Sequence, residues 1–248
     1  MVGEQAIGTL YGLSVGPGDP ELLTLKALRL LQQVPVVAFP AGRGGKPGMA
    51  EQIIAPWVQP HQQRVALTFP YVHDRDQLQA AWQAAAIRVW TFLRQGQDVV
   101  FACEGDVSFY STFTYLAQAL QQLPATLTAD IRSPIPIVAV PGVCSPMAAA
   151  AALTLPLTMA DQRLLVLPAL YAIAELETAL TQADVIVLLK VSSVYAQVWP
   201  ILQRHNLLAN SAVIVRATGP DQQIYVDLSS YPDLQLPYFS LLIIWPSR

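Results

Sequence analysis

Val15–Ala27 reads VGPGDPELLTLKA and follows the apolar run Ile7-Gly8-Thr9-Leu10-Tyr11-Gly12-Leu13. The apolar run has the composition of a strand. Gly16-Pro17-Gly18 is a tight turn at its end. Asp19-Pro20-Glu21 then starts a helix, with Asp at the N-cap, Pro at the first helical position and an acid in the first turn. Leu22, Leu25 and Leu28 are expected to carry that helix inward on one face. Strand, glycine turn and capped helix leave bare backbone beside whatever binds at the strand's end. A plain strand–helix connector is the alternative.

Two phosphate-binding loops can be tested against this stretch, and both fail. A dinucleotide fingerprint needs a third glycine where Glu21 stands, and an acid about 20 residues further on, near Pro40. A P-loop needs Gly-Lys-Ser/Thr, whereas Gly45-Lys46 is followed by Pro47. The loop has the architecture of a nucleotide-type site without its phosphate chemistry.

Working outward, strands are expected at Ile7–Val15, Val34–Phe39, Arg64–Leu67, Asp98–Ala102 and Ile135–Val140. Helices are expected near Glu21–Gln33, Met49–Val58, Arg75–Arg94 and Ser108–Leu123. This alternation predicts a mostly parallel sheet with crossover helices. The second half differs. Helices near Cys144–Leu153, Ala169–Thr181 and Val194–Arg204 mix with strands at Arg163–Leu167 and Val185–Leu189. Three strand-like runs follow, Ala212–Ala217, Ile224–Asp227 and Tyr238–Trp245, with little room for helices between them. That ending predicts antiparallel pairing. The fold class is α/β, as two α/β domains over residues 1–141 and 142–248.

Composition sets limits. The chain has 248 residues, 53% of them hydrophobic and 12% charged, with a net charge of −3. A large core and a buried subunit surface are expected, since obligate interfaces resemble a core cut in half. No basic run exists, so broad binding to nucleic acid is disfavoured. The uncharged stretch Ser133–Ala160 contains Pro134, Pro136, Pro141, Pro146 and Pro156, which forbid one continuous membrane helix. The N-terminal residues have Glu4 and no basic region, so no signal peptide is expected. Cys103 and Cys144 form no CxxC pair, and His61, His73 and His205 are isolated, so no protein-bound metal is expected. A cytoplasmic location fits.

Further constellations lie at expected strand ends. Cys103-Glu104-Gly105-Asp106-Val107-Ser108-Phe109-Tyr110 is an acid–glycine–acid turn, where Asp106 or Ser108 is expected to cap the next helix. Capping alone is the bland reading. Cys103 reads as a buried structural thiol, having no placeable partner His. Val140-Pro141-Gly142-Val143-Cys144-Ser145 again runs from strand through glycine into helix, and Ser145 sits outside any G-x-S-x-G elbow. Lys190 ends the run Val187-Leu188-Leu189, either to meet an anion or merely to face solvent. Arg216-Ala217-Thr218-Gly219-Pro220-Asp221 is ordinary turn chemistry between two strands. Gly42–Gly48 is a glycine-rich loop with Arg43 and Lys46, read either as a lid over an acidic substrate or as solvated surface.

In this order the motifs resemble those of the tetrapyrrole methylase family of S-adenosylmethionine-dependent enzymes. VGPGDPELLTLKA is similar to its first glycine-rich loop, EGDVSFYSTF to its Gly-Asp-Pro loop and PGVCSPMAA to its Pro-Gly-Val-Ser-Ser linker. Two departures are Val107 for the family's proline and Cys144 for its first linker serine. LYGLSVGPGDPELLTLKALRLL, HDRDQLQAAWQAAA, RATGPDQQIY and YFSLLIIW resemble the members acting on precorrin-2 or cobalt-factor II. Some family members acting on uroporphyrinogen have an acid near the Phe39–Gly48 loop, and its absence here makes the resemblance to them weaker, which argues against that activity.

The resemblance implies methyl transfer from S-adenosylmethionine to carbon 20 of such a tetrapyrrole in cobalamin biosynthesis. Another ring carbon, or a non-catalytic cofactor-binding protein, are the alternatives. It implies a homodimer and a cofactor cleft between the two domains. The cofactor contacts it implies are Pro17, Glu104, Gly105, Asp106, Phe109, Cys144, Ser145, Lys190, Ala217 and Thr218. Tyr110, Asp106 and Glu104 are the candidate catalytic groups, and Arg43, Lys46, Arg75 and Arg132 the candidate anchors for substrate carboxylates.

Overall fold

The computed structural model describes residues 6–42, 44–70, 72, 74–128 and 134–246, with backbone only at 169–172. The chain divides after Cys144 into two compact units.

In the first unit five strands run parallel: β1 Leu10–Ser14, β2 Val36–Pro40, β3 Gln63–Leu67, β4 Val99–Cys103 and β5 Ile137–Val140. Their order is β3-β2-β4-β1-β5. The helices are α1 Leu25–Gln33, α2 Met49–Ile54, α3 Arg75–Leu93, α4 Thr112–Gln121 and the single turn α5 Ala125–Thr128. Side chains alternate along each strand, and helices cover both faces. Leu13, Val37 and Val100 pack with Ala27, Leu31, Ile53 and Ile54 of α1 and α2. Leu10, Val36, Val99 and Phe101 pack with Val89, Leu93, Leu116 and Leu120 of α3 and α4. This two-sided burial is why the strands read as unbroken apolar runs.

Because the strands are parallel, Ser14, Pro40, Leu67, Cys103 and Val140 all end on one edge of the sheet. Neighbours β1 and β4 lead into helices on opposite faces, which makes their ends the switch point where open sheets take ligands.

The second unit has a mixed sheet: β6 Leu164–Pro168, β7 Val185–Leu189, β8 Ser211–Val215, β9 Gln223–Val226 and β10 Ser240–Ile244, in the order β6-β7-β10-β8-β9. Only β6 and β7 pair in parallel; the last three strands join antiparallel, as their short spacing predicts. Helices α6 Ser145–Ala152, α7 Ala169–Gln182 and α8 Tyr195–Arg204 accompany them. Leu176, Leu188, Val198, Leu202, Val213 and Leu242 form the centre of its core. The α/β class therefore holds in both units. No helix among the described residues is long and apolar enough to cross a membrane.

The first helix departs from expectation. Asp19 caps only a 3-10 turn, Pro20–Leu22, accepting the Glu21 N–H at 2.8 Å. Leu23 is extended, and Thr24 opens α1 by accepting the Ala27 N–H at 3.2 Å. Two caps in tandem break what reads as one helix and reset its phase. Leu25, expected inside, is 86% exposed, and Ala27 and Leu31 are buried instead. The second correction is at α4, which Ser111 caps through the Phe113 N–H at 3.0 Å, not Asp106 or Ser108.

The reset phase has a measurable consequence. Leu25→Lys should change unfolding free energy by less than about 0.5 kcal/mol, as for a surface site. Leu31→Ala should cost roughly 2–5 kcal/mol. Urea titration of both variants checks the order; equal losses would place Leu25 in the core.

Candidate functional site

The loops after β1 and β4 are tied by their glycines. The Gly16 N–H donates to the Gly105 carbonyl at 3.2 Å, and the Gly105 N–H donates back to Gly16 at 2.8 Å. Both glycines have positive φ, +78° and +68°, a region that a Cβ disfavours by about 1–2 kcal/mol. A Cβ on Gly105 would find no nearer atom than Cys144 Cα at 4.0 Å, so open space lies there. Pro17 is half-buried in the turn that follows Gly16, and Gly18 is buried.

Asp106 joins this pair of loops to a third. Its carboxylate accepts the Gly142 N–H at 2.7 Å, from the loop after β5. It also accepts the Ser108 N–H at 2.8 Å and the Ser108 hydroxyl. The residue is buried. Burial pushes its carboxyl up, but hydrogen bonds from Ser108, Gly142 and Ser14 more than reverse this, holding it below the ordinary carboxylate value. A carboxylate so occupied is a poor base. Its bonds tie the loop after β4 to the loop after β5.

Glu104 is half-buried where β4 ends. Its charge, after burial, helps push the Cys103 thiol up to about 11. Cys103 is buried with Sγ 2.9 Å from Ser111 Oγ, and is protonated at neutral pH, so it is an inert structural thiol. Phe109 donates its N–H to the Asp106 carbonyl at 3.1 Å. Its ring meets Tyr110 edge-on, with centroids 5.0 Å apart. Tyr110 is 54% exposed and has φ +51°, which for a tyrosine stores backbone strain. Cys144 and Ser145 are half-buried, at the end of the Gly142 loop and the start of α6.

In the second unit three candidates meet at one end of the sheet. Register places Leu189 opposite Leu241 and Ser240 opposite Val215, so Lys190 and the Arg216–Thr218 turn flank the start of β10. Lys190, Arg216 and Thr218 have φ of +58°, +47° and +65°. Lys190 Nζ lies 5.3 Å from the centre of the Tyr238 ring, a cation–π contact that places its charge. The turn is internally held. Arg216 pairs with Asp221, its N–H donates to Phe239 at 2.8 Å, and its carbonyl accepts the Gly219 N–H at 2.8 Å. Thr218 donates its N–H to Gln222 Oε1 at 2.6 Å, and Ala217 is buried.

The candidate anchors are scattered. Lys46 is exposed on the connection leaving β2, and Arg75 is exposed at the first position of α3. Arg43 and Arg132 lie outside the described residues. The far end of the Gly42–Gly48 loop is pinned, with Gln52 Nε2 donating to the Pro47 carbonyl at 2.8 Å.

Sequence reasoning passed over Ser14, Gln222 and Tyr238. Ser14 had one visible signal: a hydroxyl closing an otherwise apolar strand. It is fully buried and bonds to both neighbouring strand ends. Among the described residues no group of three or more His, Cys, Asp or Glu could hold a metal ion.

Parallel strands ending in glycine loops in one unit, and a mixed sheet in the other, define a class once the relatives are considered. Residues 9–230 match the model of the Tetrapyrrole (Corrin/Porphyrin) Methylases, and the chain belongs to that family. It is 32% identical over 238 residues to the cobalt-precorrin-2 C(20)-methyltransferase of Salmonella typhimurium, covering 96% of each chain. It is also 32% identical over 247 residues to the cobalamin biosynthesis protein CobIJ of Mycobacterium tuberculosis. That match takes in 96% of this chain but 46% of CobIJ, so the chain spans about half the length of that relative. Among solved structures, the cobalt precorrin-4 methyltransferase CbiF superposes with a TM-score of 0.67 at 23% identity, covering 96% of this chain and 95% of that one. A uroporphyrin-III C-methyltransferase from Thermus thermophilus, solved with S-adenosyl homocysteine, gives 0.59 at 20% identity, over 96% and 97%.

The state of Asp106 sets a pH dependence. Its folded pKa is depressed, so its stabilisation is present above the unfolded value, about 3.9, and is lost as pH falls through the folded one. Asp106→Asn should flatten the fall of unfolding free energy below about pH 4. Denaturant titrations across the acid range measure this; parallel slopes would show that the carboxylate gains nothing on folding.

Proposed function

We propose that this chain transfers a methyl group from S-adenosylmethionine to carbon 20 of precorrin-2 or cobalt-factor II in cobalamin biosynthesis. The observation that carries this reading is the likeness to the Salmonella enzyme over 96% of both chains. The strand-end loops support it. Gly105 leaves room for a ligand to reach bare backbone, as the family's cofactor loop requires.

On this reading Pro17, Glu104, Gly105, Phe109, Cys144 and Ser145 contact the cofactor from the first set of loops, with Asp106 holding those loops in place. Lys190, Ala217 and Thr218 do so from the second unit. S-adenosylmethionine supplies a methyl already activated on its sulfonium. The protein therefore has to align the ring carbon with that methyl and exclude water. Glu104, Asp106 and Tyr110 are the candidates for the group that takes part in a later proton removal, the Asp106 carboxylate already accepting bonds that hold the loops. Arg43, Lys46, Arg75 and Arg132 anchor the carboxylates of the macrocycle. We read the working form as a cytoplasmic homodimer. Two free cysteines fit a reducing compartment, and 12% charged residues fit a buried interface.

The deciding experiment offers metal-free and cobalt-loaded substrate to the purified protein and maps the product by NMR. One new methyl at carbon 20, with one S-adenosylhomocysteine released per turnover, is the expected result. A methyl on another carbon, or binding of S-adenosylhomocysteine without turnover, would overturn the assignment.

The anchors make a separate prediction. Charge-assisted contacts are worth roughly 1.5–3 kcal/mol each. Arg43→Ala with Lys46→Ala should raise the tetrapyrrole KM by on the order of tenfold and leave the S-adenosylmethionine KM unchanged. Steady-state kinetics at two salt concentrations reads it. An unchanged tetrapyrrole KM would make this loop solvated surface.

A further inference from the structure

We propose that Ser14 is a positioning residue of the methyl-transfer site, its hydroxyl setting the spacing of three strand-end loops. This rests on the reading that those loops hold S-adenosylmethionine.

β1 lies between β4 and β5. The ladder with β5 ends at Leu13 and Val140, whereas backbone bonding to the β4 side runs on past Ser14 and Cys103, through the Val15 N–H to the Cys103 carbonyl at 3.0 Å, to Gly16 and Gly105. The Ser14 side chain adds a link on both sides. Its Oγ donates to the Val140 carbonyl at 2.7 Å and accepts the Val107 N–H at 2.9 Å. Asp106 Oδ2 stands 3.3 Å from the same oxygen. The hydroxyl proton lies nearer the Val140 carbonyl and is shared with Asp106, which accepts the longer and weaker bond. The side chain thus links the loop after β4 to the end of β5, the two neighbours of its own strand.

Gly142 interlocks with it. A Cβ there would sit 2.5 Å from Ser14 Cβ, so the backbone passes directly against the serine. That passage brings the Gly142 N–H to Asp106 at 2.7 Å. Ser14 and Asp106 act as one clip across three loops. Without the hydroxyl, the Val107 N–H loses its partner in a buried place, and the Val140 carbonyl keeps only its ladder bond. The loop after β4 would shift to find another acceptor.

The test is calorimetric titration with S-adenosylhomocysteine, which reads loop spacing without chemistry, beside steady-state kinetics. Wild type is titrated first; no binding there would sink the proposed function itself, and this inference with it. Given binding, Ser14→Ala should raise Kd by about tenfold. It should raise the S-adenosylmethionine KM alike, with saturating kcat and tetrapyrrole KM within about twofold. Combined with Asp106→Asn, it should weaken binding less than the product of the two single effects, because both break one clip. Unchanged Kd in a folded Ser14→Ala protein, a loss confined to kcat, or fully multiplicative effects would each overturn the role. Should Ser14→Ala not fold, Ser108→Ala at the exposed side of the same carboxylate replaces it. A rise in Kd of about threefold is then expected, and no change would count against the clip.

Discussion

A buried carboxylate with no ion pair among the described residues must find N–H and O–H donors, and Asp106 finds them on separate loops. Gly142 N–H comes from the end of β5, and the Ser108 N–H and hydroxyl come from the loop after β4. The demand is strict, since an unsatisfied buried charge costs far more than a missing surface contact. The carboxylate therefore dictates where the ends of β4 and β5 stand. The mutual bonds of Gly16 and Gly105 then bring the β1 loop to the same place. Three loops that are remote in sequence become one surface because one charge has to be satisfied.

The backbone is under tension where the candidate residues lie. Tyr110 in the first unit and Lys190, Arg216 and Thr218 in the second all adopt left-handed φ. A side chain in that region costs about 1–2 kcal/mol. Such residues persist where the surroundings hold them. The surroundings are visible here: Arg216 is held by Phe239, Gly219 and Asp221, and Thr218 by Gln222. Other left-handed residues lie outside these turns, Asn206 after α8 and Asp227 after β9 among them.

These features were unequally legible in the sequence. The strands were plain because helices bury both their faces, and Val185–Leu189 runs between the residues expected. Gly16, Gly105 and Gly142 were plain because each occupies a place that a side chain cannot take cheaply. The start of α1 was not. Asp19 and Thr24 are both good caps, and the Leu22, Leu25, Leu28 spacing suits a helix from either. Only the extended Leu23 decides between them. Ser14 was hidden for a different reason. Its partners stand 93 and 126 residues away, and a serine at a strand end has no local signature. Asp106 misled because Asp before a helix is the usual mark of a cap, whereas its bonds go to Ser108 in its own loop and to Gly142 in the loop after another strand.

Electrostatics sharpens the contrast between cofactor and substrate. The chain has 14 Lys and Arg. Among the described residues Arg64, Arg163, Arg204 and Arg216 pair with Glu51, Asp184, Glu177 and Asp221. Their side chains are 38% exposed or more, so solvent weakens these pairs and they contribute little to stability. Lys46 and Arg75 are different, for neither is in an ion pair among the described residues. An arriving carboxylate would have no internal partner to displace there, and two solvated charges would meet without the cost of burying an ion in advance. Lys190 is a third case. The Tyr238 ring fixes its ammonium without using a carboxylate, so its charge is placed yet not neutralised. On the proposed reading, a chain with 12% charged residues would recognise a polyanion through a few unpaired cations rather than a basic surface. Binding of that kind weakens with salt wherever the cation is exposed, at Lys190 as at Lys46 and Arg75, while contacts made through buried backbone groups are screened less.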